Sequence, residues 1–148
     1  MELKNKVETI IKNIVAGSGT ETGYREPLIG FASTTDPIFI EIKKIVGLHQ
    51  LHPKEIFPEA KTVVAFFLPF EKELVKQNLK SGVVKESIQA SLDTSHLIRE
   101  INEKLKTELA KDGVTVIVPE AIFDYKNNGF DVLWSHKSAA YAVGLGTF

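Results

Sequence analysis

No cysteine occurs anywhere in the 148 residues. That absence excludes disulfides, thiolate zinc sites, a cysteine nucleophile and any thiolate-ligated iron–sulfur cluster held by these residues. Long apolar runs are missing too. The longest, Val63 to Leu68, falls far short of the roughly 20 residues a membrane helix needs. Glu2 and Glu8 stand among the first lysines without an uninterrupted apolar segment, so the N-terminus does not read as a secretory signal. Nor is there an excess of one charge. Eighteen Lys and Arg face nineteen Asp and Glu, a net charge of −1, and neither half of the chain is cationic. Bulk electrostatic capture of nucleic acid or anionic lipid is therefore not expected. What is present is 43% hydrophobic and 25% charged residues, without repeats, low-complexity tracts or an interdomain linker. A chain of this size buries roughly 68–70% of its unfolded surface. The expectation is one soluble, cytoplasmic domain spanning residues 1–148.

Periodicity divides the chain into elements. Leu3, Val7, Ile10, Ile11, Ile14 and Val15 recur at helical spacing, and Gly17 marks the helix end. Gly17 to Gly23 is a loop by composition. Leu28 to Ala32 reads as a buried strand. Asp36 and Pro37 read as an N-cap and first helical residue, opening a helix that runs to Gly47. Residues 49–58 read as irregular. Lys61 to Leu68 is the strongest strand signal and predicts a central strand buried on both faces. A short helix is expected over residues 71–80 and a long one within 84–111, stopped by Gly113. Val114 to Val118 predicts a second core strand and residues 119–133 a loop. A final helix is expected from Ser135 to Val143, with Ser135 at its cap. This order predicts an α+β layered domain, a small central sheet flanked by helices. The ending Gly144-Leu-Gly-Thr-Phe148 is apolar and glycine-rich, which suggests a fragment of something longer.

Several constellations invite chemical readings. His49 and His52 share a metal-like spacing, but Pro53 biases His52 towards extended backbone, and no zinc-helix motif follows. Asp124 to Gly129 resembles the start of a calcium loop, yet Lys126 and Ser135 stand where oxygen ligands belong. Adjacent Ser135 and His136 lack a nucleophile elbow. No metal site is expected. Asp93 and His96 lie one turn apart on the long helix, so they can share a face and either support proton transfer or simply form part of a solvated face. Gly144 and Gly146 do not complete a dinucleotide fingerprint. They offer either close backbone approach with amide donors or simply a tight turn after a helix.

Taken in order, the blocks Tyr24-Arg-Glu-Pro-Leu-Ile-Gly-Phe-Ala32, His52-Pro-Lys-Glu-Ile-Phe-Pro-Glu-Ala-Lys-Thr-Val-Val-Ala-Phe-Phe-Leu-Pro-Phe70 and Trp134-Ser-His-Lys-Ser-Ala-Ala-Tyr-Ala-Val-Gly-Leu-Gly-Thr-Phe148 resemble epoxyqueuosine reductase-like iron–sulfur proteins. The closing block is the most distinctive. The resemblance implies the N-terminal, cobalamin-binding domain of an oxidoreductase, similar in fold to nitroreductase-like and reductive dehalogenase corrinoid domains. It implies that two 4Fe–4S clusters lie in a ferredoxin-like domain beyond this sequence and deliver electrons to the cobalamin. The substrate would then be a small molecule or a modified nucleoside, as in tRNA modification, and the fragment would be inactive alone. Ser135, His136, Lys137, Gly144, Leu145 and Gly146 are the cofactor-binding candidates carried by the closing block. For the proton donor there are two candidates, Asp93 and Asp124. The segment Asp93-Thr-Ser-His96 is one residue longer than the Asp-Tyr-His segment of epoxyqueuosine reductases and lacks its tyrosine, so the substrate stays open. Two further functions remain open beside this one: a non-catalytic small-molecule binding module, and a flavin-binding reductase on a similar scaffold.

Overall fold

The structure is a computed structural model that describes residues 2–81, 85–120, 122–123 and 132–147. Its elements are α1 (Leu3–Ala16), β1 (Leu28–Ser33), α2 (Ile38–Val46), α3 (Pro53–Ile56), β2 (Thr62–Phe67), α4 (Lys72–Ser81), α5 (Lys85–Ala110), β3 (Ile122–Phe123), β4 (Val132–Trp134) and α6 (His136–Ala142). Helices with small two-stranded sheets, β1 with β2 and β3 with β4, make the class α+β. The chain divides into two compact units, each assembled from two stretches: residues 1–28 with 68–116, and residues 29–67 with 117–148.

The first unit is helical. Val7, Ile11 and Val15 repeat every four residues along α1, and Leu97, Ile101, Leu105 and Leu109 do the same along α5. Each series forms one apolar stripe, and α1 packs against α5. Ile11 and Ile101 are fully buried. Lys6 fastens one end of the pair, bonding the Asp112 carboxylate at 2.6 Å and the Glu108 carbonyl at 3.1 Å. A cation there also suits the negative end of α5. The helix stops at Gly113, whose φ of +75° allows a Schellman closure. Gly113 N–H donates to Ala110 O and Val114 N–H to Leu109 O, both at 3.0 Å. The loop after α1 is drawn in by Glu71 N–H donating to Gly23 O, and Tyr24 bridges to Phe70 in antiparallel fashion.

The second unit layers helices on a small sheet. α6 packs on β2, and α2 packs on α6. Phe39 and Ile42 of α2, Trp134 of β4, Ala139 of α6 and Ala32 of β1 are buried. Thr34, just beyond β1, is buried as well. Its hydroxyl donates to Ala60 O at 2.8 Å, and its N–H donates to Lys61 O at 3.0 Å. At Gly30 the β1 backbone runs so close to the end of α6 that a Cβ would lie 2.6 Å from Val143 O. Only glycine fits that approach without displacement.

Five expectations need correction. Val114 to Val118 enters no ladder among the described residues, although its side chains alternate between half-buried and exposed. Its first N–H is committed to the α5 cap, and Ile117 stays about half exposed. β2 is not buried on both faces: Phe67 is 55% and Val64 38% exposed. Within 119–133 the short strands β3 and β4 pair antiparallel, Ile122 opposite Trp134 and Phe123 opposite Val132. The segment 49–58 holds a helical turn, α3, capped by His52. Asp36 does cap α2, accepting from Ile38 N–H at 2.9 Å, but the helix begins at Ile38 rather than Pro37.

Candidate functional site

The distinctive closing segment folds around α6. Ser135 has extended backbone and accepts from Ser138 N–H through its hydroxyl, the usual task of a serine at this position. Ala139 turns inward, while His136 and Lys137 are exposed on the first turn. The far end closes as α5 does. Gly144 has a φ of +83°; its N–H donates to Tyr141 O, and Leu145 N–H donates to Ala140 O, each at 3.0 Å. This is a second Schellman cap. The amides of Gly144 and Leu145 are therefore committed to the helix end and are not donors for a ligand. Of the two readings of this glycine pair, the tight turn is the one Gly144 fulfils.

Beyond that cap lies an open cavity of about 440 Å³, lined by Asp36 and Ile38 from the start of α2 and by Tyr141, Ala142, Gly144 and Gly146 from the end of α6. Its volume falls within the range of small-molecule sites. Around both glycines no atom comes within 4 Å of where a Cβ would stand, so their bareness widens the hollow. Asp36 contributes a carboxylate, Tyr141 a phenol, and Thr147 a hydroxyl at the rim.

Of the six cofactor-binding candidates, Gly144 and Gly146 form cavity wall, and Leu145 does not. Ser135, His136 and Lys137 sit at the other end of a seven-residue helix, about 10 Å away by helical rise. They do not line the hollow. The lining residues that were not among these candidates are Asp36, Ile38, Tyr141, Ala142 and Thr147. The Asp36-Pro37 turn signal located the helix start, but nothing local told which later segment would meet it.

Asp93 belongs to the first unit. Its Oδ2 accepts from the Thr22 hydroxyl at 2.6 Å and its Oδ1 from Gln89 Nε2 at 2.9 Å. The Thr22 hydroxyl, then Gln89, hold its carboxyl below the usual carboxylate range, and the nearby His96 adds to this. A carboxyl stabilised as its anion is poorly matched to proton donation near neutral pH. The other candidate, Asp124, lies outside the described residues. His52 acts as a cap: its Nδ1 accepts from Lys54 N–H at 3.1 Å, while Glu55 returns to the His52 N–H in a capping box. Lys43 first, and that N–H second, lower the Glu55 pKa. Among the described residues no group of three or more His, Asp or Glu is placed to hold a metal ion, and no helix is long and apolar enough to cross a membrane.

Comparison with models of known protein families, with curated proteins and with solved structures finds no match to this chain. The resemblance to epoxyqueuosine reductase-like proteins accordingly rests on the sequence blocks alone.

Proposed function

We propose that the chain is the corrinoid-binding part of a cobalamin and iron–sulfur dependent reductase. One observation supports this reading above the others: the closing block places two bare glycines in the wall of an open, partly apolar cavity. Such a hollow suits the edge of a flat macrocycle, which needs apolar contact together with polar groups for its peripheral amides. Ile38, Ala142 and the glycine backbone would supply the contact, and Tyr141 and Thr147 the polar groups. A bound corrinoid supplies cobalt-centred electron transfer, the difficult part of the chemistry. The chain's own part is to orient the ring edge, with Asp36 contributing a carboxylate at the same wall. Electrons would come from cysteine-ligated clusters outside these residues.

Titration of the chain with hydroxocobalamin, followed by corrin absorbance, tests the proposal. A saturable spectral change is expected, and it should be lost in Gly146→Val. That substitution fills the hollow at a position whose backbone needs no glycine. A spectrum that does not change, or a change that Gly146→Val leaves intact, would overturn the assignment.

A further inference from the structure

A second hollow, of about 430 Å³, lies in the first unit between the Gly17–Gly23 loop and α5. It is independent of the corrinoid reading. Ser18 and Thr20 line it from the loop, and Asp93, His96, Arg99 and Glu100 from the helix. Helical spacing accounts for the second group, since residues three, four and seven apart share a face.

The loop is fixed by its own hydroxyls. Ser18 Oγ and Thr20 Oγ1 lie 3.3 Å apart, Thr20 donates to Thr22 O at 2.8 Å, and the buried Thr22 donates to Asp93. Gly19, at φ +62°, supplies the left-handed residue this turn requires.

The charges in this hollow are treated differently from those further along α5. There, Lys104 and Lys111 pair with Glu108, and Lys106 with Glu103. Among the described residues His96, Arg99 and Glu100 enter no ion pair, although His96 and Glu100 stand four residues apart. Charges of both signs thus face one hollow: Asp93 is held by Thr22 and Gln89 and feels the nearby His96, while Arg99 and Glu100 are left without a partner of opposite sign among the described residues. An anion alone would be repelled by Asp93 and Glu100, and a cation alone by Arg99. A ligand carrying both signs can turn each of its charges towards the opposite one.

We infer that this hollow binds a small zwitterion of the α-amino-acid type. Its ammonium faces the carboxylates of Asp93 and Glu100. Its carboxylate takes the Arg99 guanidinium, whose planar fork matches that group, and the loop hydroxyls complete the shell. The test is an NMR titration of the chain with L-alanine, set beside acetate and methylammonium as probes of one sign. Saturable shifts are expected at residues 18–22 and 93–100 with alanine, and weaker binding by about tenfold or more with either single-charge probe. Arg99→Gln and Glu100→Gln, both at exposed positions, should each weaken alanine binding about tenfold or more while leaving the far-ultraviolet circular dichroism unchanged. Three outcomes would overturn the inference: no saturable alanine shifts, acetate or methylammonium binding as well as alanine, or alanine binding indifferent to both substitutions.

Discussion

Gly113 and Gly144 end helices in the two units by the same device. Each takes a left-handed φ, and in each case the glycine N–H and the next residue's N–H close on the last turn. Sequence alone suggests a stop signal for Gly113 and leaves Gly144 open between a ligand contact and a tight turn. What differs is the neighbourhood. Gly113 follows a long polar helix, whereas Gly144 sits in an apolar tail beside a second glycine. A glycine's conformational duty is local and should be assigned before any ligand is invoked; Gly146, which is not left-handed, has no such duty.

The largest expected effect concerns the contrast between the two cores. Ile101→Ala removes a fully buried side chain from the α1–α5 seam and should cost about 2–5 kcal/mol. In hydrogen exchange the amides of α1 and α5 should lose more protection than those of α6. Equal loss in both units would break the comparison.

Next come the caps. Alanine at either left-handed glycine carries a penalty of about 1–2 kcal/mol, so Gly113→Ala and Gly144→Ala should lower the urea midpoint by similar amounts. Gly146→Ala should leave it nearly unchanged. A Gly144→Ala variant as stable as the parent would show that this cap contributes little.

The smallest effect is a titration. Asp93 is stabilised as its anion by Thr22 and Gln89. Its folded pKa lies below the unfolded one, so this stabilisation is complete above the unfolded value and disappears as pH falls through the folded value. Thr22→Val should raise the Asp93 carboxyl pKa towards the ordinary carboxylate range, read by carbon-13 NMR. An unchanged pKa would show that the Thr22 bond is not its main support.

Much of the first unit is legible in sequence because its information is local. Val7, Ile11 and Val15 announce α1, and Gly17 and Gly113 announce the ends of α1 and α5 without knowledge of any distant residue. Pairing between strands is harder. Val114 to Val118 carries the composition of a strand, but pairing depends on which segment lies beside it, and no neighbour is written into the residues. Likewise Ile122 and Trp134 become partners across an interval that looks like plain loop. The cavity follows the same rule. Gly144 and Gly146 were visible, whereas Asp36 and Tyr141 share its wall only because α2 packs on α6. His52 shows the reverse: its nearest neighbours, Lys54 and Glu55, account for its place as a cap.

Gly30 has a consequence for control of the second unit's cavity. Its backbone presses against Val143, the last step before the cavity rim, with no room for even a methyl group. Alanine at position 30 would push on the rim from behind without entering the hollow. A substitution at this strand position would thus alter the hollow's width from a residue that does not line it.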